Sequence, residues 1–291
     1  MSVVLSAQPR VPADLMSGVA RALAEDLGTG DVTAQLVPAG QAMQARIIAR
    51  EPAVLCGRPW VNAVFESLDA RIAIAWSVDE GAAVQADQVL CTLQGSARAL
   101  LTGERTALNF LQTLSGTATA VRAFVQAVQG TGCRIADTRK TLPGLRCAQK
   151  YAVLWGGGVN HRIGLYDAFL IKENHIAAAG GIRQAITNAR ALGVDVPLMT
   201  EAENLDEART ALAEDVDLLL IDDFTHDMIR EAVGLVRSHR ARGGKTVLEY
   251  SGGASLTTVR PIAELGVDRI SVGAITKHLH ATDLSMRFVE A

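Results

Sequence analysis

Hydrophobic and polar positions divide the chain into two rhythms. Over residues 11–27 apolar side chains return every three or four positions, the spacing of one helix face, and stop at the turn Gly28-Thr29-Gly30-Asp31. Short runs suited to strands follow at 43–50, 72–76 and 89–93, cut by Gly and Pro, with one helix expected over 59–68. This first part has the pattern of a small open α/β sandwich. A long helical stretch over 96–129 comes next, with breaks expected at Gly103 and at Ser115-Gly116. Beyond it, strands expected at 134–137, 168–172, 198–202, 218–222, 247–251 and 269–273 alternate with amphipathic helices such as 204–214 and 225–240. Such alternation implies a parallel sheet with right-handed crossovers, and this many units favour a closed or nearly closed α/β barrel.

Composition narrows the possible functions. The 291 residues are 49% apolar and 20% charged, enough for a buried core, and the formal charge of −3 leaves no broad basic surface for nucleic acid or an anionic membrane. Any basic site must be local. Cys56, Cys91, Cys133 and Cys147 lack metal-ligand spacing and are expected as buried thiols of a reducing compartment. The apolar stretch at residues 3–5 has no basic leader, and no run approaches the ~20 apolar residues that cross a bilayer, so a soluble cytoplasmic protein is expected. Residues 80–95 have the pattern of half a biotinyl or lipoyl domain. No lysine lies between Arg71 and Gly95 to carry such a cofactor.

The chemistry gathers where strands end. Asp137, Lys172, Glu201, Asp222, Glu249 and Gly273 all close or nearly close an apolar run, and in α/β barrels that rim is where loops converge on a site. Arg139 and Lys140 place two cations after one strand, although a basic pair can also belong to a solvated loop. In Gly156-Gly157-Gly158-Val159-Asn160-His161-Arg162 the glycines permit close backbone approach, and His161 and Arg162 add a hydrogen-bonding ring and a planar charge. Lys172-Glu173-Asn174-His175 closes another strand. With Arg105, these groups describe a cationic pocket for a small polyanion, where arginine forks would suit carboxylates. Glu201 and Asp222, at the ends of successive strands, are either salt-bridged rim charges or groups that hold Mg²⁺ or face a cationic sugar. Ser251-Gly252-Gly253 and Ser271-Val272-Gly273-Ala274 follow the last two strands, where backbone N–H groups often cradle a phosphate.

In these blocks the chain resembles the quinolinate phosphoribosyltransferase family. The resemblance is carried by Glu25-Asp26-Leu27-Gly28-Thr29-Gly30-Asp31-Val32-Thr33, by Gly103-Glu104-Arg105-Thr106-Ala107-Leu108-Asn109-Phe110-Leu111-Gln112, and by Leu114-Ser115-Gly116-Thr117-Ala118-Thr119. It continues through Asp137 to Arg146, Lys150-Tyr151-Ala152-Val153, Gly156 to Arg162, and Leu170-Ile171-Lys172-Glu173-Asn174-His175. It implies an N-terminal α/β sandwich over residues 1–115 that covers a partner's active site. An incomplete, seven-stranded TIM-like α/β barrel with a C-terminal helical tail would occupy 116–291. It implies a homodimeric, decarboxylating transferase that joins quinolinate to phosphoribosyl diphosphate, giving nicotinate mononucleotide, CO₂ and diphosphate for NAD synthesis. Arg139, His161, Arg162 and Lys172 would bind the two carboxylates, with Arg105 reaching in from the neighbouring subunit. Lys140 would contact the phosphoribosyl diphosphate, and Glu201 and Asp222 would face the ribose and its Mg²⁺. The loops holding Ser251, Gly252, Gly253, Gly273 and Ala274 would take the 5-phosphate. No organic cofactor is implied.

Departures from the family pattern are Asp223 in place of asparagine, Tyr250 in place of a small or aliphatic residue, and a less acidic run over 198–203. Rival readings are a nicotinate-using or molybdenum-associated paralogue, a Schiff-base aldolase acting through Lys140 or Lys172, and a non-catalytic binder of phosphorylated sugars.

Overall fold

The computed structural model describes residues 9–289, so residues 3–5 lie outside it. In chain order the first elements are α1 (Leu15–Leu27), β1 (Ala42–Ala49), β2 (Ala53–Val54), α2 (Arg58–Leu68), β3 (Ala73–Trp76), β4 (Ala83–Val84), β5 (Val89–Ser96) and α3 (Ala97–Ala127). Then come β6 (Arg134–Ala136), α4 (Arg146–Trp155), β7 (Phe169–Ile171), α5 (Glu173–Ala179), α6 (Ile182–Ala191), β8 (Leu198–Ala202), α7 (Leu205–Ala213) and β9 (Leu218–Asp222). The chain finishes with α8 (His226–Ala241), β10 (Val247–Ser251), α9 (Val259–Glu264), β11 (Arg269–Ser271), α10 (Ala274–Lys277) and β12 (Leu284–Phe288). These form two units. One gathers residues 9–122, Thr141–Gly157 and 275–289, and the other Ala123–Lys140 and Gly158–Ala274.

In the first unit an antiparallel sheet runs β12-β1-β5-β3. Alternate residues of β1, Ala45, Ile47 and Ala49, are buried, so one face of the sheet belongs to the core. Against it stand Leu15, Val19 and Leu23, four apart on α1, with Trp60, Val64 and Phe65 of α2 and Leu100, Leu108, Leu111 and Leu114 of α3. Each such side chain stabilises the fold by about 1.5–3 kcal/mol through burial.

Two expectations fail in this unit. The C-terminal tail is not helical: Leu284 and Met286 are buried while Ser285 and Arg287 are not, a period of two, and β12 pairs with β1 from Ala45↔Phe288 to Ala49↔Leu284. Nor is α3 broken, since it runs 31 residues through both expected interruptions. A Cβ on Gly103 would sit 2.7 Å from Phe65 Cε1, and one on Gly116 only 2.0 Å from the His280 carbonyl oxygen. Those glycines permit close packing. Their propensity cost of about 1 kcal/mol each is small beside the burial along so long a helix.

The Glu25–Thr33 motif has a local structural task in the same unit. Asp31 Oδ1 accepts the N–H groups of Thr33 and Ala34 at 3.0 and 2.9 Å, and Oδ2 accepts the Thr102 hydroxyl of α3 at 2.9 Å. These bonds, that from Ala34 first, hold its carboxyl below the usual range.

The second unit contains a parallel sheet whose described strands run β6-β11-β10-β9-β8-β7. This is the incomplete barrel, with six described strands, at the places expected of them, where the family resemblance implies seven; an isolated bridge joins Ala136 to Val159 beside β6. Val159 donates to Ile135 O at 2.8 Å and accepts from Asp137 N at 3.1 Å. Two residues on, the His161 N–H is directed to the Asp137 side chain at 2.8 Å.

Register stacks the barrel interior in rows, as α/β barrels require. Leu170, Met199, Leu218 and Val247 pair across four strands as an apolar row. Two residues further along, Glu201, Leu220, Glu249 and Arg269 form the next. Asp222 and Ser251 pair beyond that, at the rim. No helix among the described residues is long and apolar enough to cross a membrane. The four cysteines are free, and Cys147 is only partly buried where a buried thiol was expected.

Candidate active site

The middle row and the loops above it enclose a cavity of about 330 Å³ in the barrel unit. Its lining comprises Thr138, Arg139 and Lys140 after β6, His161 and Arg162 after the Val159 bridge, and Leu170 and Lys172 at β7. Glu201, Leu220, Glu249, Ser251 and Ser271 complete it from β8 to β11. Four cations therefore face two carboxylates, an excess that suits a small polyanion.

Local bonds fix the loops that carry these groups. Asp137, fully buried, receives the His161 N–H, and His161 Nδ1 accepts the Arg162 N–H at 2.7 Å. Just beyond, Asp167 accepts the N–H groups of Ile163 and Gly164 at 2.7 and 2.9 Å. The Thr138 hydroxyl accepts the Lys140 N–H at 3.0 Å. At the start of α5, His175 Nδ1 accepts the Lys172 N–H at 3.1 Å, while Lys172 Nζ reaches Glu201 Oε2 at 2.5 Å.

Two guanidinium edges point to a missing acceptor. The Nε atoms of Arg139 and Arg162 are buried and make no hydrogen bond among the described residues. A buried donor without an acceptor costs about 1–3 kcal/mol, which a bound carboxylate would offset. Burial and then the nearby charge of Arg139 depress the Arg162 guanidinium, as expected of two cations awaiting an anion.

The carboxylates differ in environment. Burial lifts Glu201 above the usual glutamate range; Lys172 opposes this, and Asp222 and Glu173 add to it. For Glu249 burial also acts upward, but Arg269, His161 and Ser271 outweigh it and hold the carboxyl low. Arg269 Nε donates to Glu249 Oε2 in a fully buried pair.

Residues 117–287 match the family model described as quinolinate phosphoribosyl transferase, C-terminal domain, and residues 31–115 match its N-terminal domain. The chain belongs to the quinolinate phosphoribosyl transferase family. It is 42% identical over 275 residues to a nicotinate-nucleotide pyrophosphorylase [carboxylating] of Mycobacterium leprae, covering 92% of this chain and 95% of that one. A quinolinate phosphoribosyltransferase [decarboxylating] of Nicotiana glauca is 36% identical, covering 94% of this chain and 82% of its own. Among solved structures, the nicotinate-nucleotide pyrophosphorylase of Francisella tularensis superposes with a TM-score of 0.91 at 44% identity, covering 99% of both chains.

Of the residues singled out in the sequence, Arg139, Lys140, His161, Arg162, Lys172, Glu201 and Ser251 line the one cavity. Asp222, Gly252, Gly253, Gly273 and Ala274 are absent from its lining. Asp222 pairs with Ser251 at the rim, and a Cβ on Gly273 would come 3.0 Å from Lys140 Cδ. Arg105 is exposed on α3 in the other unit. The lining also includes Glu249, noted in the sequence only as a strand-end acid, Thr138, Leu170 and Ser271, which stand inside motifs without a role of their own, and Leu220, which the sequence did not single out. A charge inside the otherwise apolar run Val247–Leu248 was the available signal for Glu249.

Two of the departures, Asp223 and Tyr250, meet at one point. A Cβ on Gly252 would lie 2.3 Å from Asp223 Oδ1 and 3.0 Å from the Tyr250 hydroxyl, and Gly252 has a φ of +131°. Asp223 itself adopts φ 52°, a region that Asp and Asn tolerate better than most residues, so both side chains suit the position.

Proposed function

We propose that this chain is a quinolinate phosphoribosyltransferase, which decarboxylates as it transfers. The observation that carries this reading is the pair of buried, unsatisfied guanidinium edges of Arg139 and Arg162 in a cavity with excess positive charge. Quinolinate presents two adjacent carboxylates, one for each fork. His161 and Lys172 complete that half of the site, and Arg105 joins it from the second subunit of a homodimer.

Lys140 binds the diphosphate of the donor, and the Ser251–Gly253 and Gly273–Ala274 loops receive its 5-phosphate. As the bond from C1 to diphosphate breaks, positive charge grows on the ribose, where Glu201 and Asp222 stabilise it. The pyridine nitrogen of quinolinate supplies the electron pair for the new bond to C1. As CO₂ departs, the bond pair stays on C2, where the adjacent positive charge of the quaternary nitrogen stabilises it, and C2 then takes up a proton with that pair. That sequence calls for no organic cofactor.

No group of three or more His, Cys, Asp or Glu side chains among the described residues could hold a metal ion. Glu201 is also bound to Lys172. Two carboxylates would suit only an ion that brings most of its own ligands, as Mg²⁺ does with diphosphate and water, and Glu201 and Asp222 would be the residues to hold it. Bound there, it would offset charge on the leaving diphosphate.

Turnover of the purified protein with quinolinate, phosphoribosyl diphosphate and Mg²⁺ tests the proposal. Nicotinate mononucleotide and CO₂ are expected in equal amounts, with no product when nicotinate replaces quinolinate. Product from nicotinate alone would assign the chain to a paralogue that lacks the decarboxylation step.

A further inference from the structure

Glu249 presents a puzzle for a cavity that takes a dianion. It is 0% exposed, its side chain lines the cavity, and Arg269, only 4% exposed, engages its Oε2. Burying a carboxylate costs several kcal/mol unless it is paired and hydrogen-bonded. Arg269 Nε supplies that compensation at one oxygen. The other, Oε1, accepts no hydrogen bond among the described residues and lies 3.6 Å from His161 Nε2.

The tautomer of His161 gives this oxygen a purpose. Its Nδ1 accepts the Arg162 N–H, so the proton of the ring sits on Nε2, the nitrogen that faces Glu249. The residue is thus fixed on two sides, main chain to Asp137 and Nδ1 to the Arg162 backbone, while Nε2 faces Glu249 Oε1 at 3.6 Å, beyond hydrogen-bond distance. We propose that Glu249, anchored by Arg269, is a positioning residue that orients the His161 ring, in the tautomer its bond from Arg162 selects, for binding the acceptor. The proposal rests on the reading above that His161 belongs to the quinolinate site. Glu249 itself need not touch the substrate, because it acts through the ring, as the outer carboxylate does in other oriented histidines.

Steady-state kinetics of Glu249→Gln, His161→Asn and the double variant test it. Glu249→Gln keeps the side-chain shape and removes the charge. It is expected to raise KM for quinolinate about tenfold, the loss of one such contact at about 1.4 kcal/mol per decade, with kcat and KM for phosphoribosyl diphosphate within about twofold. In the His161→Asn background the same change is expected to add less than about twofold. Should Glu249→Gln fail to fold because Arg269 is left uncompensated, Glu249→Met with Arg269→Met removes the whole pair at similar volume, a replacement that buried ion pairs often tolerate. Ring ¹⁵N shifts of wild-type His161 above neutral pH are expected to show bare Nδ1 and protonated Nε2.

Multiplying effects in the cycle, an equal fall in every kinetic parameter, or a ring protonated on Nδ1 each overturn the positioning role. If His161→Asn leaves KM for quinolinate unchanged, the assignment of the cavity fails first and takes this proposal with it. A raised KM in His161→Asn with an additive cycle removes only the role of Glu249.

Discussion

Replacing Arg162 by lysine isolates the fork from the charge. The backbone around Arg162 is held by other groups, since its N–H goes to His161 Nδ1 and the next two N–H groups go to Asp167. The side chain spends Nη1 on the Ala168 carbonyl at 3.4 Å and leaves Nε buried without a partner. Lysine keeps the positive charge but has a single ammonium, which cannot serve both the carbonyl and two oxygens of a carboxylate. One charge-assisted hydrogen bond is therefore lost, worth about 1.5–3 kcal/mol, or roughly ten- to a hundredfold in affinity. On the proposed reading Arg162 would grip the carboxylates alike in the bound substrate and in the transition state, so the loss should fall on KM for quinolinate and leave kcat nearly unchanged. Initial rates across a quinolinate series, with phosphoribosyl diphosphate saturating, measure both. A KM within about twofold of wild type, or a collapse of kcat at constant KM, would refute the bidentate role of Arg162.

Glu201 must be ionised to face a cationic ribose, and its carboxyl is raised by burial, with Asp222 and Glu173 adding to the effect. Protonation therefore sets in at higher pH than for an ordinary glutamate, and kcat should fall on an acid limb above the usual carboxylate range; Glu173→Gln should move that limb to lower pH, and an unmoved limb would detach it from Glu201. Arg105→Ala and Lys172→Ala subunits, inactive alone, should regain activity when mixed, because hybrid dimers restore one intact site; no recovery despite proven subunit exchange would remove Arg105 from the shared site. Gly116→Ala should lower stability by about 1–2 kcal/mol, the cost of forcing a Cβ within 2.0 Å of the His280 carbonyl less the gain in helix propensity. Gly234→Ala, exposed on α8 with nothing within 4 Å of the new Cβ, should raise it by up to about 1 kcal/mol; thermal melts giving the same sign for both glycines would contradict the packing argument.

How much of this was legible depended on how far apart in sequence the partners lie. The expected strands at 198–202, 218–222 and 247–251 coincide with β8, β9 and β10, because β9 is an apolar run ended by Asp222 and the other two open on an apolar pair before their acid. Cations in compact motifs, such as Arg139-Lys140 and His161-Arg162, were visible for the same reason, and the structure brings them to one cavity. The failures involve distant partners. Nothing near Gly103 or Gly116 announces Phe65 or His280, so glycines that serve packing were taken for helix breaks. The β12 segment has only five residues of alternation, and its partner β1 lies over 200 positions upstream. The pattern gives no place for the seventh strand that the resemblance implies, and among the described residues the barrel has six strands and the Ala136–Val159 bridge.

The same distinction separates the acids of the site from its cations. Arg139, Lys140, Arg162 and Lys172 all follow strands or the Val159 bridge, on loops whose backbone is tied by local hydrogen bonds. Glu201 and Glu249 instead lie within strands, in a row whose members are fixed by the parallel register. A strand inside a barrel holds a side chain more rigidly than a loop does, and rigidity is what electrostatic stabilisation of a short-lived cation needs, because a charge that must first reorganise loses its advantage. Such a row is expensive in stability, since apolar side chains usually fill it, as Leu170, Met199, Leu218 and Val247 do one layer below. The apolar layer and the charged layer thus divide the barrel interior: the first is packed core, and the second holds the charges to which the proposed function gives a role. Glu249 belongs to the second layer by register but is met by Arg269 rather than by a lysine of the rim, which is why a role through His161 explains its place better than direct contact with an anionic substrate.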